Sequence, residues 1–308
     1  MHVQLPVSRG PTRGVRAPAH AGSSYPADPD RLRAHLDGFF TDVPPPTGAP
    51  LAGLVAPHID LRLGGRAYGH AYARVGAAPA ARYVVLGTSH APGTRRFAAT
   101  RDHYATPFGV ACTDHAFLDR LAARVPVDLY RDRHLHMDEH AIEFQVVMLQ
   151  HVLADRASTI VPILVSSFQD LVTRGLGPND DAEIAAFVHA LRATLAEDDV
   201  PTVVIAGVDL AHVGAKFGDR QGTTPELLAA MEAKDRRLLA ALEDGDATAF
   251  WHALAADGDR TRICGAAPLA VFLELMWGRH GRMLCYDRFH DDRTRSCVSW
   301  ASIAFPAA

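Results

Sequence analysis

The chain has 308 residues, of which 48% are hydrophobic and 21% charged, with a formal net charge of -4. This is the balance of an ordinary soluble globular protein, large enough for one full core or two smaller ones. The charge offers no bulk attraction to nucleic acid or anionic lipid, no Lys/Arg cluster accompanies an RNA-reading motif, and no apolar run reaches the roughly 18 residues of a membrane span.

The first 24 residues contain Pro6, Gly10, Pro11, Gly14, Pro18 and Gly22 without periodicity, which predicts an extended or mobile arm ahead of a single domain over residues 25–308. They carry basic residues but no apolar h-region, so a secretory signal is not indicated and a cytoplasmic protein is expected. Asp30 to Phe40 has helical periodicity, and Asp42 to Pro50 is a proline-rich connection. Leu51 to Ala56 is an apolar run broken by Pro57, with His58 next, and Ala67 to Val75 reads as a helix. Tyr83 to Leu86 is a second short apolar run, ending at Gly87 and followed by His90. The 32 residues between His58 and His90 match a βαβ unit, which predicts parallel neighbouring strands.

Arg96 to Cys112 is irregular, with a small antiparallel excursion expected around Pro107 and Gly109. Helices are predicted over Asp114–Ala123, Glu139–Leu153, Asp181–Leu195, Pro225–Leu242, Ala247–Ala255 and Leu269–Trp277. Ser158 to Val165 is another strand candidate, as is Val203 to Ala206, which leads through Gly207 and Asp209 to His212. Gly281 to Phe305 reads as two strands around Asp291-Asp292-Arg293. Neither an internal repeat nor a domain linker is evident, so a single α/β domain with a mixed sheet is expected.

Three candidate strands thus each deliver a histidine beyond their C-terminal ends, the rim where ligands bind in open α/β sheets. His58, His90 and His212 are candidate imidazole donors, and Cys264, ahead of Gly265 and a helix start, is a candidate thiolate. Histidine with cysteine suits Fe(II), Cu or Zn. Asp209 beside His212, and Asp60 beside His58, are candidates either to ligate or to orient a histidine. The segment His136-Met-Asp-Glu-His140 is a second cluster, in which Glu139 or His140 is a candidate general acid or base and Asp138 and Glu139 are equally suited to a helix N-terminus. It is neither HExxH nor HxxEH, and the chain has no P-loop, GxGxxG or GxSxG. A Ser89/His/Asp209 hydrolase is a weaker option. The four cysteines, Cys112, Cys264, Cys285 and Cys297, form no CxxC pair, which leaves room for one isolated disulfide at most.

Pro18-Ala-His-Ala-Gly-Ser-Ser-Tyr-Pro-Ala-Asp28, Ala56-Pro-His58, Gly87-Thr-Ser-His90, Asp138-Glu-His-Ala-Ile-Glu143, Asp209-Leu-Ala-His212, Ile263-Cys-Gly265 with Pro268, and Ser299-Trp-Ala-Ser302 occur in that order. Together they resemble the MEMO-like proteins, whose bacterial members are called AmmeMemoRadiSam system protein B. The resemblance implies a three-layer α/β/α domain with a mixed, largely parallel sheet, similar to the class III extradiol (LigB-type) dioxygenases. It implies iron or copper on His58, His90 and Cys264, with zinc also admissible, and His212 lining the same pocket. The related dioxygenases use two histidines and a glutamate, so a cysteine in third place breaks the analogy to ring cleavage. Ile59-Asp60 after His58, and Ala91 after His90, depart from the usual family pattern.

The expected function is therefore a non-haem metal-binding protein, as an oxidoreductase or dioxygenase-like enzyme acting on an unidentified small molecule. His212 or His140 would move protons, Glu139 would assist, and Asp209 would orient a histidine. The rival is a non-catalytic binding protein in which Tyr68, Tyr72, Phe97 and Tyr104 line a groove for a protein partner; a metal-assisted hydrolase is a third option. The group's name also implies a functional link to AMMECR1-like and radical SAM proteins.

Overall fold

Apolar and β-branched runs bounded by glycine, proline or threonine form the inner strands of one mixed sheet, and the periodic segments between them form helices that cover it. The computed structural model describes residues 14–46 and 50–307. Its first half runs β1 (Val15–Arg16), α1 (Pro29–Asp37), β2 (Leu51–Ala56), α2 (Leu61–Ala77), β3 (Arg82–Thr88), β4 (Phe97–Ala99), β5 (His103–Thr106), β6 (Gly109–Thr113), α3 (His115–Ala122) and α4 (His140–Leu153). The second half continues with β7 (Thr159–Val165), α5 (Gln169–Arg174), α6 (Ala182–Leu195), β8 (Thr202–Gly207), β9 (His212–Gly214), α7 (Pro225–Asp244), α8 (Ala247–Ala255), α9 (Ala266–Leu275), β10 (Arg282–Asp291) and β11 (Ser296–Pro306). Side chains of Asp28, Asp60, Asp114, Asp181, Thr224 and Asp246 accept backbone N–H groups at the starts of α1, α2, α3, α6, α7 and α8. Each such cap is worth about 1 kcal/mol. The cap at Asp60 explains why α2 begins at Leu61, before the predicted Ala67.

The sheet order is β1-β5-β6-β7-β3-β8-β2-β11-β10, with β4 and β9 paired to β7 and β11. The inner strands β6, β7, β3, β8 and β2 are mutually parallel, and β11 and β10 add antiparallel strands beyond β2. Alternate residues of β3 face opposite cores. Val84 and Leu86 share one with Phe117 of α3, Phe187 of α6 and Leu269 of α9. Tyr83 and Val85 share the other with Tyr72 of α2 and Val146 of α4. The result is the α/β/α layering expected from the sequence.

One expectation is corrected. β2 and β3 are parallel but not neighbours, because β8 lies between them and pairs with both. The βαβ-sized spacing fixes the direction of two strands and leaves the gap for a third, here the apolar Val203–Ala206 run, fully buried between its partners. Register then aligns Ala56, Gly207 and Gly87 in one row across the C-terminal edge.

Of the predicted N-terminal arm, residues 1–13 lie outside the described residues. From Gly14 onward the chain is tied down: β1 pairs in parallel with β5, and Arg16 is buried. Residues 47–49 of the proline-rich connection are likewise outside the described residues. All four cysteines are free thiols. Tyr68, Tyr72, Phe97 and Tyr104 are completely buried, which overturns the reading that they line an open groove. No helix among the described residues is long and apolar enough to cross a membrane.

Candidate metal centre

The row Ala56–Gly207–Gly87 brings three loops to one place. His58 follows β2 by two residues, His90 follows β3 by two, and the first turn of α4 lies across Gly87, next to the last residue of β3, and Gly207, the last of β8. That crossing requires bare backbone: a Cβ on Gly207 would sit 2.8 Å from the Ala141 carbonyl, and one on Gly87 would sit 2.7 Å from Ile142. The close approach carries His140 to the other two histidines. Ring centroids are 5.0 Å apart for His58–His90, 5.1 Å for His58–His140 and 4.7 Å for His90–His140. One donor nitrogen from each of the three lies within 4.8 Å of the other two.

Each ring already uses its Nδ1. His58 Nδ1 is 2.9 Å from the Gly207 carbonyl. His90 Nδ1 is 3.0 Å from Glu139 Oε1, and His140 Nδ1 is 3.1 Å from the same oxygen. An acceptor at Nδ1 keeps the proton there and leaves Nε2 with its lone pair, the arrangement a metal-ligating histidine needs. Glu139 also caps α4 through the Ala141 N–H and accepts the His90 backbone N–H at 2.9 Å. Burial opposes charge on Glu139, yet the hydrogen bonds from His140 and His90 hold its carboxyl far below the usual carboxylate range. Burial also opposes charge on His90, but Glu139 outweighs it and raises the pKa. His58, fully buried with the other two imidazoles beside it, is held well below the usual value and stays neutral.

Around this cluster lie the remaining candidates. Cys264 Sγ is 3.2 Å from His58 Nε2 and donates to the Asp209 carbonyl at 3.6 Å. Burial pushes its thiol well above the usual range, with Asp209 adding to the effect, so the protein alone does not supply the thiolate expected from a helix start. Gly265 holds the loop in place, since a Cβ there would meet Val208 at 2.6 Å and the Asp209 carbonyl at 2.7 Å. Asp209 is buried and accepts the backbone N–H groups of His58 and Ile59 at 3.0 Å each. Burial pushes its pKa up to about 7 against those two donors. His212 lies within β9, its Nδ1 3.1 Å from the Leu210 carbonyl and its ring edge-on to Phe217. Burial lowers its pKa to about 4.

His58, His90, His140, His212, Cys264 and Asp209 line one cavity of about 820 Å³, whose wall also includes Ile59, Lys216, Phe217, Arg262 and Ile263, while Glu139 stands behind the His90 and His140 rings. The volume suits a small organic molecule. Seven candidates therefore share a neighbourhood: His58, His90, His140, His212, Cys264, Asp209 and Glu139. Among the described residues, the donors that converge within 4.8 Å are the three histidines, with Cys264 touching one of them.

Other candidates go elsewhere. His136 is buried with both nitrogens engaged, by the Tyr104 hydroxyl at 2.7 Å and the Ala98 carbonyl at 2.8 Å. Ser89 Oγ donates to the Ala91 carbonyl and forms no serine–histidine pair. Asp60 lines the cavity, but its carboxylate caps α2 and pairs with Arg62. Gln145 went unnoticed in the sequence: its Nε2 donates to the Pro57 carbonyl at 2.8 Å and its Oε1 accepts from Tyr72, which fixes the turn ahead of His58. Glu143 and Gln145, both fully buried in a mostly apolar helix, are the signal that such a role exists.

The chain is similar to known proteins along nearly its whole length. Over 299 residues it is 30% identical to a MEMO1 family protein of Aquifex aeolicus, covering 95% of this chain and 73% of that one. It is 27% identical over 265 residues to the memo-1 homolog of Caenorhabditis elegans (84% and 71% covered), and 24% identical over 307 residues to mouse Protein MEMO1 (95% and 96%). A family model described as Memo-like protein matches residues 16–304, a span that includes every residue of the cluster, and the chain belongs to the Memo-like family.

Proposed function

We propose that this chain is a non-haem metal-binding protein whose ion sits against His58, His90 and His140, with Cys264 beside His58. The observation that carries the proposal is the convergence of three imidazoles, one nitrogen of each within 4.8 Å of the others, with Nδ1 of every ring beside a protein acceptor. Cys264, the third donor implied by family resemblance, fits as well. Donors at about 2.0 Å (nitrogen) and 2.3 Å (sulfur) on one tetrahedral ion lie about 3.5 Å apart, against 3.2 Å between His58 Nε2 and Cys264 Sγ. Imidazole with thiolate suits Fe(II) or Cu, and the same donors admit Zn.

In the enzymatic form the protein is an oxidoreductase or dioxygenase-like catalyst for a small molecule held in the 820 Å³ cavity. The metal, when bound, supplies an open coordination position and redox chemistry for an oxygen-bearing substrate. The chain supplies the rest. Glu139 orients His90 and His140. Asp209 fixes the turn that carries His58. His212, with Nδ1 held by the Leu210 carbonyl, keeps Nε2 available to accept a substrate proton.

The test is anaerobic reconstitution of tag-free protein with Fe(II), Cu(I) or Zn(II), followed by metal analysis and oxygen-uptake measurement. One ion per chain in the wild type, lost in His58→Ala and His90→Ala, is the expected result. A chain that takes up no metal under any of these conditions overturns the reading.

A further inference from the structure

The N-terminal segment reaches the metal cluster through one buried ion pair. Arg16 and Glu143 are joined by Arg16 Nη1 and Glu143 Oε2, and both side chains are completely inaccessible. Arg16 Nε donates to the His136 carbonyl at 2.5 Å, and Nη2 donates to the Glu139 carbonyl at 3.0 Å. The guanidinium therefore spans both ends of the turn between His136 and Glu139, and it lies 4.9 Å over the Tyr104 ring. Glu143, one turn further along α4, accepts the Ala19 and His20 N–H groups at 3.1 and 3.0 Å and the Tyr25 hydroxyl. Three separate stretches, residues 15–25, the turn at 136–139 and the first turn of α4, converge on two side chains.

A buried ion pair is weak evidence for stability, because removing both charges from water costs about as much as their attraction returns. An apolar pair of similar volume would pack as well. It would not hold two carbonyls on one side and two N–H groups on the other at fixed separations. What the pair fixes is the position of Glu139, and Glu139 is the single carboxylate that holds Nδ1 of both His90 and His140.

We propose that Arg16 and Glu143 are positioning residues for the metal centre: they hold Glu139, and through it the His90 and His140 rings, in the ligating orientation, so that the segment at 15–25 is a working part of the site. The inference rests on the metal reading above, and its test separates the two. Arg16→Met, Arg16→Lys and Glu143→Gln are compared with the wild type and with Arg82→Met. Arg82 pairs with Asp114 and Asp198 at the opposite end of β3 and serves as a control for lost stability alone.

Two signals are read on folded protein. Co(II) binding is followed by its affinity and visible spectrum, and the tautomers of His90 and His140 in metal-free protein are followed by long-range nitrogen–proton NMR. The Arg16→Met and Glu143→Gln proteins should lose about 10- to 100-fold in Co(II) affinity, the range for removing support behind a ligand. Their Co(II) spectrum should change and their Nδ1–H pattern should average, while Arg16→Lys retains part of each and Arg82→Met retains all. Wild-type spectrum, affinity and tautomers in Arg16→Met and Glu143→Gln would overturn the proposal. A wild type that binds no Co(II) would sink the metal reading, and the tautomer signal would still decide whether Arg16 positions the rings. Should Arg16→Met fail to fold, Glu143→Gln and Arg16→Lys give the same readouts.

Discussion

Cys264 Sγ lies 3.2 Å from His58 Nε2, joining the loop before α9 to the loop after β2. A sulfur beside an imidazole distinguishes among metals. Soft Cu(I) prefers thiolate, whereas Zn(II) is well served by nitrogen alone. Cys264→Ser should therefore weaken Cu(I) binding more than Zn(II) binding, by tenfold or more in ratio on the order of one favourable ligand. Competition against a chromophoric chelator for each ion measures both affinities. Equal losses for the two ions would remove Cys264 from the donor set.

Glu139 serves two rings, a backbone N–H of His90 and the start of α4. Glu139→Gln keeps one oxygen acceptor and turns the other into a donor facing donors. The expected outcome is a loss of about 10- to 100-fold in Zn(II) affinity with the helix content unchanged. Isothermal titration and circular dichroism on the same sample check it.

Gly207 supports the site by its lack of a side chain and by its carbonyl, which receives His58 Nδ1. In Gly207→Ala the new methyl would meet the Ala141 carbonyl at 2.8 Å and the Gln145 side chain at 2.9 Å. Pushing α4 away should cost about 1–3 kcal/mol, as overpacking does, and should weaken metal binding through the displaced His140. Urea unfolding gives the first quantity and metal titration the second; a stable variant with full affinity would contradict the packing described here.

Asp235 on α7 is completely buried, its Oδ2 accepting from Tyr286 at 2.9 Å and Ser299 at 2.6 Å. Burial pushes its pKa from 3.8 to about 6. The folded state thus holds this proton more tightly than the unfolded chain, so the group's contribution is fully present below about pH 3.8, falls as pH rises, and is gone above about pH 6. Relative to Asp235→Asn, which carries no charge at any pH, the wild type should lose on the order of 3 kcal/mol across that window, from 1.36 kcal/mol per unit. Urea midpoints of both proteins between pH 3.5 and 7 give the difference directly, and a difference that does not change with pH would refute it.

Much of this site was legible because strand ends announce themselves. Leu51–Ala56 and Tyr83–Leu86 stop at Pro57 and Gly87, and that places His58 and His90 on one rim once the strands are parallel. Asp209, read as either a ligand or an orienting group, lies on the same rim just past β8, where it accepts the His58 and Ile59 N–H groups. The insertion of β8 between β2 and β3 was not readable, since strand order depends on pairing between segments about 150 residues apart. His140 was recognised as chemically able, but its approach to His58 depends on two glycines that admit α4 to the sheet edge, a tertiary fact without local pattern. Arg16 left no sign at all: an arginine among prolines and glycines looks like solvent-facing chain until its burial is known.

The placement of β8 also governs how the protein comes into being. A nascent chain that has made β2 and β3 has the two flanks of an empty slot, and neither can complete its ladder until Thr202–Gly207 has been synthesised. Closure of so distant a loop is slow, because its entropic cost comes before any hydrogen bond rewards it. Until Thr202–Gly207 has been made, the edges of β2 and β3 that it joins stay unpaired, so the rim that carries His58 and His90 is assembled only after that segment arrives.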